Sequence, residues 1–226
     1  MDLQLQDRVA LVVGGSGFIG RAVVSRLREE GATVVVASRR TADGSATLDA
    51  RDEASVRAAV AAVLGEHGRI DALVVTAAPS AQTLDQARNG DPDQVIEAFD
   101  AKAMVFLRLA NAVIPPMRDS GYGRIVVVSG QNALITGSIT GSVRNAATII
   151  VAKNLADGLA GSGVAVNVVN PGVVSEEPDA QVQPGFGGQS SPQQIADLIA
   201  FLASPISAVS GESIAVGHRV RGVTVL

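Results

Sequence analysis

The residues best suited to chemistry near the start of the chain are Gly14-Gly15-Ser16-Gly17-Phe18-Ile19-Gly20. They follow an apolar, strand-like run, Val9–Val13, and lead into a segment of helical period. A glycine turn in that place lets the backbone approach a diphosphate, and the helix start offers free N–H groups and a positive dipole end. Gly14, Ser16, Gly17, Phe18 and Ile19 are therefore candidate cofactor-binding residues. The alternative is a tight turn with close strand–helix packing, because the spacing Gly14-x-x-Gly17-x-x-Gly20 departs from G-x-G-x-x-G. At the end of the second strand candidate the chain reads Ala37-Ser38-Arg39-Arg40. An acidic residue there would grip a ribose 2′-OH, whereas arginine accommodates a 2′-phosphate. Ser38, Arg39 and Arg40 thus point to NADP(H) ahead of NAD(H), unless they form only a solvated loop.

Other chemistries find few residues. There is no cysteine, which removes disulfides, thiolate catalysis and cysteine metal sites, and only two histidines, His67 and His218, so no metal ligand set is expected. The 226 residues are 47% hydrophobic and 18% charged, enough apolar material for one sizeable core and too little charge for disorder. A net charge of −4, with scattered cations and 3% aromatics, gives no footprint for nucleic acid or an anionic membrane. No apolar stretch reaches a membrane span, and Met1–Arg8 is polar where a signal peptide would be apolar. A cytoplasmic protein is expected.

The elements that must position the glycine loop alternate between strand and helix, the order a parallel sheet with crossover helices requires. Strands are expected at Val9–Val13, Thr33–Ala37, Ala46–Leu48, Ala72–Thr76, Arg124–Ser129, Val164–Val168 and Ser213–Val216. Most are apolar throughout, as strands covered on both faces should be. Helices are expected near Ile19–Glu30, Asp52–Leu64, Pro92–Met117, Ser142–Leu159 and Pro192–Ala203. Gly31 should end the first helix, Pro115-Pro116 should end or kink the long third one, and Ser191, Pro192 and Gln194 form a capping-box start. The loop Glu176–Ser191 is a natural substrate lid, with Gly185, Gly187 and Gly188 as hinges. Nothing marks a domain linker, so residues 1–226 read as one α/β domain.

Several stretches in order resemble the short-chain dehydrogenase/reductase family over nearly the whole chain. Leu48-Asp49 is similar to the family's Asp at the adenine ring, and Asp71-Ala72-Leu73-Val74-Val75-Thr76-Ala77-Ala78 to its D-x-L-V-N-N-A-G. Gly123-Arg124-Ile125-Val126-Val127-Val128-Ser129 resembles the strand carrying the catalytic Ser, although Gly130 stands where many members have a second Ser. Val164-x-Val166-Asn167-x-x-Asn170-Pro171-Gly172 resembles V-x-V-N-x-x-x-P-G, and Ser210-Gly211-Glu212-Ser213 resembles T-G-x-x. The resemblance implies a Rossmann-like doubly wound sheet of seven parallel strands in a three-layer α/β/α domain. It implies nicotinamide-dinucleotide contacts at Asp49, Ala77, Pro171, Gly172 and Val174, and a homodimer or homotetramer built across the fourth and fifth helices. Glu176 falls near the family's Thr at the nicotinamide carboxamide, with Ser175 beside it as a substitute.

The family's Tyr-x-x-x-Lys should lie one helical turn apart, so that both side chains face the substrate. Counting from the flanking motifs places these positions at Gly141 and Asn145, and places Lys102 where the family has an Asn. Tyr122 reads as a surface loop residue, Lys153 as solvated, and Arg144 as lying off the Gly141/Asn145 face. Lys102, if desolvated, can act as general acid or base, with Ser129 donating a hydrogen bond and Asn145 orienting the amine or the oxyanion. The alternative is a snorkelling lysine whose stem packs. Three functions stay open: an NADP(H)-dependent oxidoreductase using Ser129, Lys102 and Asn145; a non-catalytic nucleotide- or partner-binding protein; and a non-redox enzyme of elimination or cyclisation type. The glycine loop, Arg39 and Ser129 favour the first.

Overall fold

A computed structural model describes residues 1–39, 45–78 and 83–223. Arg40, a candidate cofactor residue, and the first part of the loop after the fourth strand lie outside the described residues. The chain runs β1 (Val9–Val13), α1 (Phe18–Glu29), β2 (Thr33–Ser38), β3 (Ser45–Thr47), α2 (Glu53–His67), β4 (Ala72–Val75) and α3 (Pro92–Phe99). A π turn (Asp100–Met104) leads into α4 (Val105–Asp119), and β5 (Gly123–Val128), α5 (Ile139–Gly158), β6 (Val164–Pro171), α6 (Pro192–Ala203) and β7 (Ser213–Val216) follow. Among the described residues the strands form one parallel sheet in the order β3-β2-β1-β4-β5-β6-β7. The expected doubly wound sheet is therefore present.

Alternate residues of each strand feed two cores. Val9, Leu11, Val13, Leu73, Val75, Ile125 and Val127 face α2, α4 and α5, where Phe106, Leu109, Val113 and Met117 fill the layer. Ala10, Val12, Val74, Val126 and Val128 face α1 and α6, against Val23, Leu27, Ile195, Ile199 and Leu202. Burial on both faces explains why the strands carry apolar residues without alternation. No helix of the described residues is long and apolar enough to cross a membrane.

Helix starts follow local chemistry. Asp52, Asp91, Ser138 and Ser191 cap α2, α3, α5 and α6 through their side chains, and Ser191 with Gln194 completes the expected capping box. Gly31, at φ 82, takes the left-handed position after α1. Of the two outcomes expected of Pro115 and Pro116, an end to their helix does not occur, since it continues to Asp119. Full burial of Val113 and Met117 on that helix offsets the backbone bonds the prolines forfeit.

Asp71 organises the amino edge of the sheet. Its buried carboxylate accepts from Val9 N (2.8 Å) and Arg8 Nη1 (3.0 Å), and pairs with Arg69. Tyr122 is not a free loop residue: Arg8 and Arg124 stack on its ring at 4.5 and 4.6 Å, and its hydroxyl donates to Ala203 O. Replacing Asp71 with Ala strands a buried N–H and two guanidiniums. Urea denaturation of Asp71→Ala should show a loss of about 3 kcal/mol.

Candidate functional site

In open α/β sheets ligands bind outside the carboxyl ends of the strands, where the strand order reverses. Here β1 lies between β2 and β4, so that point falls at Gly14, beside Thr76 and Ala77. Thr76 Oγ1 donates to Gly14 O at 3.0 Å, and Gly14 N donates to Ala37 O. The glycines are needed for close approach. A Cβ on Gly14, already at φ +88, would stand 2.6 Å from Ala77 N, and one on Gly20 would stand 2.1 Å from Gly14 O. Gly17 begins α1 without a side-chain cap, unlike α2, α3, α5 and α6. The first-turn amides of α1 thus meet no capping oxygen, and the bare glycine turn beside them fits a diphosphate. Phe18 contributes its backbone there while its ring stands exposed.

Arg39 is exposed just past the end of β2. Asp49 is exposed beyond β3 and accepts from Arg51 N at 3.0 Å. At the end of β6, Gly172 packs against the loop before α6: a Cβ there would lie 2.4 Å from Gly188 O, and Val174 pairs with Ser190. Ser175 Oγ turns inward on its own loop, donating to Glu177 O.

Ser129, Lys102 and Asn145 come together at the carboxyl end of β5. Lys102, 6% exposed, donates from Nζ to Ser129 O at 3.0 Å. Ser129 Oγ donates to Asn145 O at 3.0 Å, with Asn145 Oδ1 at 3.4 Å. Burial first, and the charge of Arg144 second, push the Lys102 amine down to about 7. Arg144 was expected off this face, yet it is buried in the same stripe of α5 as Gly141, Asn145 and Thr148. The stripe is wide enough to take both i+3 and i+4 neighbours of Gly141. Burial lowers the Arg144 pKa as well. The sole tyrosine, Tyr122, lies at the opposite end of β5, and the second lysine, Lys153, is exposed and paired with Asp157.

Asn170 and Gln131 also hold this edge. Asn170 Oδ1 accepts from Gly130 N (3.3 Å) and its Nδ2 donates to Ser213 Oγ (2.7 Å), fixing the backbone after Ser129. A polar side chain inside the apolar run of β6 was the available signal. Gln131 is buried and donates to His218 O at 3.1 Å. The polar run Gln131-Asn132-Ala133 after Ser129 marks it as lying close to the site, with ordinary helix entry as the alternative; its partners come from the chain's last segment.

In the loop Glu176–Ser191, expected to hinge at Gly185, Gly187 and Gly188, the backbone is tied to the C-terminal segment. Gly188 N donates to His218 O (2.7 Å), Gly185 N to Arg221 O (2.9 Å), and Arg221 N to Phe186 O (3.0 Å). A Cβ on Gly187 would meet Gln131 Oε1 at 2.5 Å, and one on Gly188 would meet His218 N at 2.4 Å. Close packing requires Gly187 and Gly188, whereas Gly185 has open space around it at φ +80, and the loop is fastened to the C-terminal segment.

The amine of Lys102 binds its proton less tightly in the folded chain than in the unfolded one, where 10.5 applies. Its burial therefore costs most below about pH 7, and stability rises with pH between that value and 10.5. Lys102→Met should stabilise the fold by about 2 kcal/mol at pH 6, with the gain shrinking toward pH 10. Denaturant titrations at the two pH values measure it.

Comparison with known proteins agrees with this geometry. Residues 8–184 match the family model of short chain dehydrogenases. A 3-oxoacyl-[acyl-carrier-protein] reductase of Vibrio harveyi is 28% identical over 94% of this chain and 96% of its own. A subunit of (2S)-[(R)-hydroxy(phenyl)methyl]succinyl-CoA dehydrogenase from Thauera aromatica is 31% identical over 92% of each chain. The structure of a Serratia marcescens short-chain dehydrogenase/reductase superposes with a TM-score of 0.77 at 25% identity, covering 94% of this chain and 97% of that one. With its sheet order, its glycine turn and these relatives, the chain belongs to the short-chain dehydrogenase family.

Proposed function

We propose that this protein is an NADP(H)-dependent carbonyl oxidoreductase whose proton donor is Lys102 in place of the family's tyrosine. The observation that carries this reading is a buried amine, lowered to about 7, on the carbonyl of Ser129 at the carboxyl edge of the sheet. Gly14, Ser16, Gly17, Phe18 and Ile19 would hold the diphosphate, and Ser38, Arg39 and Arg40 the 2′-phosphate. Asp49 would meet the adenine, and Ala77, Pro171, Gly172 and Val174 would line the nicotinamide. When bound, the dinucleotide supplies or accepts a hydride.

The chain's own residues handle the proton. A lysine ammonium carries three donors, and one is committed to Ser129 O, so the other two remain for a substrate oxygen. Lys102 Nζ gives up its proton as negative charge grows on that oxygen, a transfer best matched when the donor titrates near the working pH. Ser129 Oγ, now directed at Asn145 O, adds a hydrogen bond to the same oxygen by rotation of its hydroxyl. Asn145 holds that hydroxyl in place. In this reading the family's Tyr and Lys positions fall on Gly141 and Asn145, and an Asn position has become Lys102. The names of the relatives support an oxidoreductase, and reduction of an oxo group is the reaction named for the Vibrio protein. Ile139, Val143 and Ile150, exposed along one side of α5, suit a homodimer or homotetramer.

Titration of the purified protein with NADPH and NADH should show tighter binding of NADPH, and Arg39→Ala should weaken NADPH about tenfold while sparing NADH. Absence of nucleotide binding overturns the proposal. A panel of ketones and aldehydes should reveal a reductase whose rate falls as pH rises through about 7, with Lys102→Met abolishing it. NADPH binding without any turnover would point instead to a binding protein or to non-redox proton transfer in the same pocket.

A further inference from the structure

Lys102 is aimed by an irregular piece of helix. Asp100–Met104 forms a π turn between α3 and α4, and Lys102 sits within it. Single π turns inside α-helices are often found at functional sites. Asp100 Oδ1 accepts from Arg108 Nη2 at 2.8 Å. The two residues are eight apart. In an unbroken α-helix, position i+8 lies about 80° round from position i. A π turn takes about one residue more than an α turn, so one of each uses about eight residues and returns i+8 to the same face. The Asp100–Arg108 pair is thus a contact that the π turn permits and a regular helix would not. Arg51, from the segment after β3, adds its guanidinium to Asp100 at 3.7 Å, and its backbone N–H is held by Asp49.

We propose that Asp100, clamped by Arg108, is a positioning residue that holds the π turn and so keeps the Lys102 amine buried on Ser129. The inference rests on Lys102 being a working group of the site. Asp100 acts through Lys102 and touches no reacting atom. The charged group facing Lys102 from α5 is Arg144, β5 offers the Ser129 carbonyl, and Asp100 and Arg108 flank it on its own helix.

With only two lysines, Lys102 and Lys153, the chain allows direct titration of each by NMR of 13C-labelled lysine. In Asp100→Asn and in Arg108→Gln, the Lys102 midpoint should rise by one unit or more from about 7 toward 10.5, while Lys153 stays put. Asp100→Glu should stay within about half a unit of wild type. The sign is diagnostic. Through direct electrostatics, loss of a carboxylate would lower the Lys102 midpoint and loss of a guanidinium would raise it; release of a positioned amine toward water raises it in both. A midpoint that falls or stays unchanged in Asp100→Asn overturns the proposal, and if that variant does not fold, an unchanged midpoint in Arg108→Gln does so. The titration is independent of turnover. Activity surviving in Lys102→Met would sink the catalytic reading and leave this result standing.

Discussion

The hydrogen bond from Lys102 Nζ to the Ser129 carbonyl joins a helix to the end of a central strand without a carboxylate to balance it. Taking an ammonium out of water costs several kcal/mol, and a neutral carbonyl returns only part of that. The amine answers by giving up its proton near pH 7, with Arg144 pressing in the same direction. An arrangement that is poor for stability and leaves an amine able to exchange its proton near neutral pH is what the proposed proton transfer would need. The site's other features follow from holding that amine: the π turn that carries it, the hydroxyl of Ser129 tied to Asn145, and the Gly130 backbone tied to Asn170.

The sheet supplies the rigid frame. Strands β1, β4, β5 and β6 end along one edge, at or just past which Gly14, Thr76, Ser129 and Pro171 stand. The opposite edge is closed by Asp71 with its arginines and by the ring of Tyr122 between two guanidiniums. Charge at that edge is paired and spent on structure, whereas at the carboxyl edge two cations are buried with the site. The chain's only tyrosine is thus a bracket at one edge, and one of its two lysines is buried at the other.

Glycine serves this molecule chiefly through what it leaves out. At Gly14 and Gly20 the missing Cβ lets strand, turn and helix close on one another, and at Gly172, Gly187 and Gly188 it lets the loop before α6 lie directly on β6, Gln131 and the C-terminal segment. From composition alone Gly187 and Gly188, with Gly185, read as hinges. Packing shows Gly187 and Gly188 to be contacts, because the atoms they accommodate belong to Gln131 and His218, far from them in the chain.

Local order was legible in the amino-acid sequence. Apolar runs set the strands to within three residues at their ends, the Ser191 capping box marked the start of α6, and the chain of motifs from Gly14 to Ser213 implied the order of the sheet. These features depend on neighbours a few residues apart, and so they are written in one dimension. Lys102 could be named a candidate from its position, but its loss of water, and therefore its acidity, could not, since that follows from the helix and strand packed around it. The same holds for Arg144, whose burial was decided by the width of a packed face, and for the Asp100–Arg108 clamp, which exists only because one turn of helix is wider than its neighbours. Sequence determined which groups this protein has and which elements carry them; tertiary structure decided their solvation, because burial is a property of everything that surrounds a group and not of its place in the chain.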